Sequence, residues 1–270
     1  MAGASPAPQV QNDPIINLPN LYKYGLNISN PFGNSSKQLY ISAGSCRDSN
    51  NVMDIVVNNA NVENEPSVPS PLVLNANVVG ANGIDQGRLS LNTMYAVYMI
   101  ADSSYYNPVA CILTLATNSV PSMPMGYDSY RLIGYWGTNG ATTFYEGTYQ
   151  GIGNDLIFWY GGTYIQVLNA GVGTVLTNVD LTPALPPVDN TLVILTSNFI
   201  PAAAGDYYRV ASLTSSAADF FQYGQVATFG VGAQFTVNAE LLTGDPTIQY
   251  VVSTASANLS LWMNGFYVSV

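Results

Sequence analysis

Apolar and polar residues alternate along this chain with a period of two. Leu39, Ile41 and Ala43 fall on one side of an extended segment, and Gln38, Tyr40 and Ser42 fall on the other. Met53, Ile55 and Val57 repeat the pattern, and Leu72, Leu74, Ala76 and Val78 stand opposite Asn75 and Asn77. Near the end, Phe235, Val237, Ala239 and Leu241 alternate with Gln234, Thr236, Asn238 and Glu240. Successive side chains of a strand point to opposite faces, so these runs predict strands with one face in a core and one in water. Turn formers separate the runs every 8–12 residues or so, the spacing of a sandwich or barrel. Asn82-Gly83, Asn139-Gly140, Gly161-Gly162 and Asn264-Gly265 tolerate positive φ. Pro121, Pro124, Pro186, Pro187 and Pro201 lie between runs, where a missing N–H costs nothing. Residues 216–222 offer one helical turn, and 85–94 fits neither period. The expected fold is all-β: an antiparallel β-sandwich or jelly-roll-like architecture with little helix.

The first dozen residues, rich in Ala, Pro and Gln, read as a flexible arm, and residues 1–30 are taken as an attachment segment. Gln150-Gly-Ile-Gly-Asn154 interrupts the strand-rich body, which predicts two β-rich units, 31–152 and 153–270. A second candidate boundary lies at 182–190, and no internal repeat relates the two halves.

Composition narrows the chemistry. The chain has 270 residues, of which 48% are hydrophobic, enough for a large core. Charged residues make up 8%, against roughly 25% in an average soluble protein. Six Lys and Arg against sixteen Asp and Glu give a net charge of −10. Six cations cannot neutralise a phosphate backbone, so nucleic acid is not an expected partner. The absence of histidine removes His-dependent triads, His-ligated zinc and imidazole switches. With 27 Asn, solubility rests on amides and hydroxyls. Met1-Ala-Gly-Ala-Ser-Pro-Ala-Pro8 has neither a basic nor an apolar signal region. No window reaches the ~18 uninterrupted apolar residues of a membrane span. The expectation is a chain made soluble and not exported by the standard route.

An enzyme without histidine would need carboxylates, tyrosine, serine or cysteine. Asp102, Asp128, Glu146 and Asp155 lie near aromatic loops, and a glycosidase needs two such acids across a cleft. Nothing in the sequence pairs them, and Asp85, Asp206 and Asp245 have the setting of turn residues. Arg47-Asp-Ser-Asn-Asn51 with Asp54 collects oxygen ligands suited to calcium but lacks EF-hand spacing, so Asx-turns are the expected use. Gly151-Ile-Gly153 lacks the third glycine and the helix of a phosphate loop. No catalytic residue, metal or cofactor is expected. Cys46 and Cys111 are either a pair or, as expected here, two small buried hydrophobes.

Tyrosine, at 19 residues, is the strongest positive signal. Tyr95, Tyr98, Tyr105, Tyr106, Tyr127 and Tyr130, with Tyr207 and Tyr208, are expected at strand ends or in loops, where a ring with a polar tip suits contacts with proteins or sugars. The plainer use is strand packing. Arg47 with Asp48, and Asp128 with Arg131, are expected to lock loops as ion pairs.

Several segments carry a resemblance. Leu18-Pro-Asn-Leu-Tyr22 is followed by Gly25-Leu-Asn-Ile-Ser29, by Ile41-Ser-Ala-Gly-Ser-Cys-Arg-Asp-Ser-Asn50 and by Met53-Asp-Ile55. Then come Gly80-Ala-Asn-Gly-Ile-Asp85, Tyr95-Ala-Val-Tyr-Met-Ile-Ala-Asp102 and Gly126-Tyr-Asp-Ser-Tyr-Arg-Leu-Ile-Gly134. In this order they resemble structural proteins of tailed bacteriophages, the tail, tail-fibre and appendage proteins of the virion. The resemblance covers about residues 15–150 and is looser over 155–270. It implies a non-enzymatic virion part, made in the host cytoplasm and released by lysis. Phage fibres and spikes are commonly homotrimers, so a homotrimer touching other virion proteins is expected; host surface glycan is left open as a further partner, and the lack of a long apolar window predicts no membrane insertion. A head decoration or collar protein and a carbohydrate-binding or glycan-degrading receptor protein are the alternatives.

Overall fold

The computed structural model describes residues 18–30, 36–57, 71–162, 164–182, 184–188, 191–212, 221–225, 233–241 and 246–270. Its twenty strands, numbered in chain order, form four sheets, and no helix occurs among the described residues. A ribbon contains β1 (Lys23–Gly25), β4 (Gly44–Arg47) and β5 (Asp54–Val57), in the order β1-β4-β5. A second sheet runs β10-β8-β9-β7, from β7 (Gly83–Ile84), β8 (Met94–Ala101), β9 (Ala110–Leu115) and β10 (Ser129–Gly137). A third runs β14-β19-β16-β17, from β14 (Thr177–Asp180), β16 (Tyr207–Ser212), β17 (Phe221–Gln225) and β19 (Thr247–Val252).

The largest sheet draws on the whole chain. Its members are β2 (Ile28–Asn30), β3 (Gln38–Ile41), β6 (Leu72–Asn75), β11 (Gly147–Ile152) and β12 (Asp155–Tyr160). They are joined by β13 (Ile165–Gly171), β15 (Thr191–Ile200), β18 (Ala233–Leu241) and β20 (Asn258–Ser269). The order is β18-β15-β20-β12-β11-β2-β3-β6, with β13 also paired to β20. Among the described residues the strands pair antiparallel, except for the parallel β7–β9 contact and a parallel bridge between Val79 and Ile84. The candidate boundary at 150–154 is the hairpin turn from β11 to β12, inside this sheet. Residues 18–30, assigned from sequence to the arm, are built into the body through β1 and β2, and residues 1–17 lie outside the described residues.

Alternation delivered the expected strands. Leu39, Ile41, Ile55 and Leu74 are fully or almost fully buried, and residues 233–241 form β18 as expected. Residues 85–93 are turns and irregular chain. Phe221 and Gln222, from the suspected helical turn, belong to β17, and 216–220 lie outside the described residues.

The sheets meet through aromatic rings. Trp136 on β10 stands edge-on to Tyr149 and Phe158 of the large sheet, with centroids 6.0 and 4.8 Å apart. Phe158 stacks on Phe266 at 5.0 Å. Such pairs add about 0.5–1.5 kcal/mol each beyond their burial. β10 ends its own sheet, so half of its backbone groups face away from β8. The Tyr149 hydroxyl serves two of them, accepting from Tyr135 N–H at 2.8 Å and donating to Tyr135 C=O at 2.7 Å. Contact here is close enough to require glycine: a Cβ on Gly134 would come within 2.9 Å of Ile28 Cδ1 and 3.0 Å of the Tyr149 ring. At the other end of the large sheet, Phe199 meets Tyr208 at 5.2 Å, and the Tyr208 hydroxyl bonds Ser197 Oγ at 2.5 Å.

Asn264-Gly265 is not the turn expected from sequence. It is a bulge in the middle of β20, where Ile194 opposes Gly265 and Leu195 opposes Met263, leaving Asn264 as the extra residue. The extra residue resets the alternation from Leu259, Leu261 and Met263 to Phe266 and Val268, all buried. Glycine is needed because a Cβ on Gly265 would lie 2.1 Å from the Phe158 carbonyl oxygen.

Replacing Tyr149 with Phe keeps the ring and removes the hydroxyl, leaving two buried backbone groups of Tyr135 without that partner. The variant should lose about 2 kcal/mol of unfolding free energy. Equilibrium denaturation of the two proteins measures the difference.

Candidate functional site

At one end of the β8–β9–β10 sheet, the loop from β8 to β9 and the last residues of the loop that leads into β10 make a tip braced by buried or partly buried carboxylates. The first, residues 102–109, is organised by Asp102, whose carboxylate accepts from Ser104 N–H at 2.8 Å, Asn107 N–H at 3.0 Å and Asn107 Nδ2 at 2.8 Å. Burial pulls the Asp102 pKa upward, but these bonds outweigh it and hold the carboxyl below its usual value. The second loop, residues 116–128, ends in a turn closed by Tyr127 N–H to Pro124 C=O at 3.1 Å, with Gly126 at φ +87°.

The loops are bonded to each other and to a third turn. Asn107 Nδ2 donates to Gly126 C=O at 3.2 Å, and Tyr127 Oη donates to Pro108 C=O at 3.0 Å. Asp128 accepts from the Ser103 hydroxyl and from Ser103 N–H at 2.9 Å; the hydroxyl bond is the main reason its pKa is lowered. Asp85 accepts from Ser122 N–H at 3.1 Å, and Gln86 Nε2 donates to Ser122 Oγ at 2.8 Å. Held this way, the tip presents Tyr106 at 90% exposure, Met125 at 98% and Tyr105 at 48%.

The expected tyrosines divide. Tyr105 and Tyr106 are on the surface, and Tyr127 and Tyr130 are half-buried, with the Tyr130 ring edge-on to Tyr98 at 5.9 Å. Tyr95 and Tyr98 are interior and not available to a ligand: Tyr95 Oη accepts from Ser90 N–H at 2.7 Å, and Tyr98 Oη donates to Ser119 C=O at 3.2 Å. All eight residues of β8 are buried, so neither face of that strand reaches solvent. In β16, Tyr208 is buried while Tyr207 lies under the Arg209 guanidinium, 4.8 Å from its ring centre. Met125 escaped the sequence reading. Its signal is the Pro124-Met-Gly126 turn, which projects whatever occupies its second position.

Both expected ion pairs have other partners. Arg47 bonds Asp54 at 2.8 Å, its cross-strand neighbour on β5, and also Asn51. Asp48 accepts instead from the N–H groups of Asn50, Val52 and Met53 at 2.7–3.2 Å. That is Asx-turn use of the suspected calcium cluster. Among the described residues no group of three or more Cys, Asp or Glu could hold a metal. Arg131 sits two residues into β10, and a three-residue step along a strand reverses the face, so Asp128 is out of line with it. Arg131 Nη2 reaches Leu21 C=O at 3.4 Å, Asn154 Oδ1 at 3.0 Å and Val270 C=O at 3.2 Å, tying three distant segments together.

Around these groups is a buried polar cluster. Lys23, Arg47, Asp48, Asp54 and Arg131 are each less than 10% exposed. Lys23 Nζ donates to Gly153 C=O at 3.3 Å, and burial lowers its pKa from 10.5 to about 8. Asp54 also accepts from Leu18 N–H at 3.3 Å, which fixes the point where residues 1–17 join the body. Ser49 N–H donates to Tyr130 C=O at 2.8 Å and connects this region to the base of the tip. Cys46 and Cys111 are unpaired and fully buried. Burial pushes Cys46 up to about 12 and raises Cys111 as well.

The four acids weighed for catalysis are not gathered into one cleft. Asp102 and Asp128 brace the tip, while Glu146 lies against the Gly161–Gly162 turn and Asp155 opens β12 beside Tyr267.

No protein-family description matches the chain, and no curated protein matches it. Among solved structures, a chain from the structure of infectious bursal disease virus Gx strain is 12% identical across 91% of this chain and 68% of its own, with a TM-score of 0.24. An exo-β-1,3-galactanase from Phanerochaete chrysosporium, solved with galactose, is 13% identical across 91% and 68%, with a TM-score of 0.22. A chain of the infectious bursal disease virus VP2 subviral particle is 12% identical across 70% and 55%, with a TM-score of 0.20. At these TM-scores none of them carries a fold or an activity over to this chain, whose all-β architecture rests on its own strand pairing.

Two outcomes follow from the buried groups. A thiol reagent should leave Cys46 and Cys111 unmodified in the folded protein and label both in denaturant; rapid labelling of the folded protein would contradict their burial. Between pH 8 and 10.5 the unfolded chain binds a proton at Lys23 that the folded chain has released, so this residue's contribution to stability rises with pH. Lys23→Met should therefore be more stable than the parent at neutral pH by about 3 kcal/mol, the order set by the shift. That advantage should shrink as pH rises through 8 towards 10.5, which urea titrations at several pH values would measure.

Proposed function

We propose that this chain is a non-enzymatic structural protein of a bacteriophage virion, part of a tail fibre or similar appendage. It works as a homotrimer, with a role in host attachment. The observation that carries the reading is the two-loop tip. Its exposed side chains, Tyr105, Tyr106 and Met125, are apolar or amphipathic, and the loops beneath them are held by at least five side-chain hydrogen bonds. A rigid surface of this kind loses little conformational entropy when it docks, and Tyr and Met are enriched in protein interfaces. Two of the four acids weighed for catalysis, Asp102 and Asp128, are occupied as acceptors for backbone and side-chain donors, which favours a structural role for them over catalysis.

Residues 1–17 enter the body at Asp54, and the Ser49–Tyr130 bond links that point to the tip. On this reading the arm and the tip serve one contact face, against a neighbouring copy or another virion protein. A charge-poor face suits such burial, since it leaves few ions to desolvate.

Deleting residues 1–30 would remove β1 and β2 and damage the body, so the test is deletion of 1–17. That variant keeps β1 and β2, and it should fold and fail to enter particles. Changing Tyr105, Tyr106 and Met125 together to Ser should leave the melting temperature within a few degrees and weaken self-association at least tenfold, or about 1.4 kcal/mol, by analytical ultracentrifugation. Normal incorporation of the first variant, or unchanged association of the second, would refute the assigned contact face.

A further inference from the structure

A second surface feature lies away from the tip. Between the outer strand β1, the Ser42–Ala43 link and the β11–β12 hairpin turn is a cleft of about 330 Å³, at the small end of the roughly 300–1,000 Å³ range of ligand pockets. Tyr24, Asn27, Ser42, Gly25, Gly151 and Gly153 line it, and no charged side chain does. Tyr24 is 65% exposed, so its ring offers an open apolar wall. Asn27 brings an exposed amide with both donor and acceptor atoms. The Ser42 hydroxyl is held in place by accepting from Asn27 N–H at 3.0 Å and donating to Ala43 C=O at 3.2 Å, which leaves one lone pair for a ligand.

The glycines keep the cleft open. A Cβ on Gly25 would lie 2.3 Å from Ala43 O, so glycine is required there for the backbone to close up. Gly153, at φ +66°, is different: a Cβ there would meet only Lys23 O, at 3.8 Å. Nothing but the lack of a side chain holds that space empty.

One aromatic wall, an amide, a hydroxyl, exposed backbone and no ion form a complement to a particular chemistry. A pyranose ring offers a C–H face for stacking and hydroxyls that both donate and accept. A phosphate, sulfate or carboxylate ligand would find no cationic side chain lining the cleft, because the nearest, Lys23, is buried behind Gly153 with its Nζ on that residue's C=O, and it would meet the field of a chain with a net charge of −10. We infer that this cleft is a binding site for one neutral sugar unit of a glycan. The virion reading bears only on where that glycan comes from, the host surface; the binding itself stands on the cleft.

The test uses the full purified chain and saturation-transfer NMR with neutral hexose trisaccharides and a sialylated trisaccharide at millimolar concentration. Transfer to the neutral sugars is expected, and in the sialylated trisaccharide to the protons of its neutral hexoses rather than to those of the sialic acid. Gly153→Asn tolerates the left-handed backbone and fills the cleft, so it should abolish transfer at an unchanged melting temperature. Tyr24→Ala should weaken binding about tenfold, the order of one aromatic contact, and Tyr106→Ala should leave it unchanged. No transfer from any neutral trisaccharide overturns the proposal, as does transfer that persists in Gly153→Asn or transfer to the sialic acid protons alone. Because the measurement needs no particle, its failure is separate from a failure of the assembly experiments.

Discussion

The hydroxyl of Tyr149 settles a problem created by β10. A strand at the end of a sheet carries unpaired N–H and C=O groups, and here they point into the packed interior, where leaving them unbonded is costly. Tyr149 satisfies both groups of Tyr135 while its ring joins Trp136, Phe158 and Phe266. One side chain thus fixes the height and registration of the second sheet over the first. Much else depends on that registration. Gly134 must stay bare for the sheets to approach, and the β20 bulge must turn Phe266 inward to meet Phe158. Arg131, two residues into the same strand, can then reach Leu21, Asn154 and Val270 at once.

The strands were legible because burial on one face enforces a period of two, and that signal survives without any knowledge of partners. Register was not legible. The choice of Asp54 over Asp48 as the partner of Arg47 follows from β4 lying beside β5, a tertiary fact. Asn264-Gly265 shows the same limit: the dipeptide permits a tight turn or a bulge, and only the neighbouring Phe158 backbone decides between them. Tyrosine gave half the candidate site. Tyr105 and Tyr106 lie in a loop and stay outside, whereas Tyr95 and Tyr98 lie in a strand covered on both faces. Residue type alone does not separate these cases. The cleft at Tyr24 was invisible in sequence because glycines from two distant segments, Gly25 and Gly153, make it.

With so few charges, the chain uses its carboxylates as loop staples. Asp48, Asp102, Asp128 and Asp206 each gather two or more donors from within a few residues or from a facing loop. A carboxylate used in this way gains charge-assisted hydrogen bonds without needing a cation nearby. That is how a protein with six Lys and Arg can keep long loops in a defined shape.

The interior position of Lys23, Arg47 and Arg131 has an effect far outside the core. Only Lys37, Arg88 and Arg209 are left nearer the solvent, facing a surplus of acids. Two copies approaching in dilute buffer would repel each other over distances comparable to the Debye length, about 30 Å at 0.01 M salt and about 8 Å at 0.15 M. Ionic strength therefore acts as a gate on encounter. In salt-poor solution two copies of the chain are kept apart by their own field, and in physiological salt the repulsion shrinks to contact range.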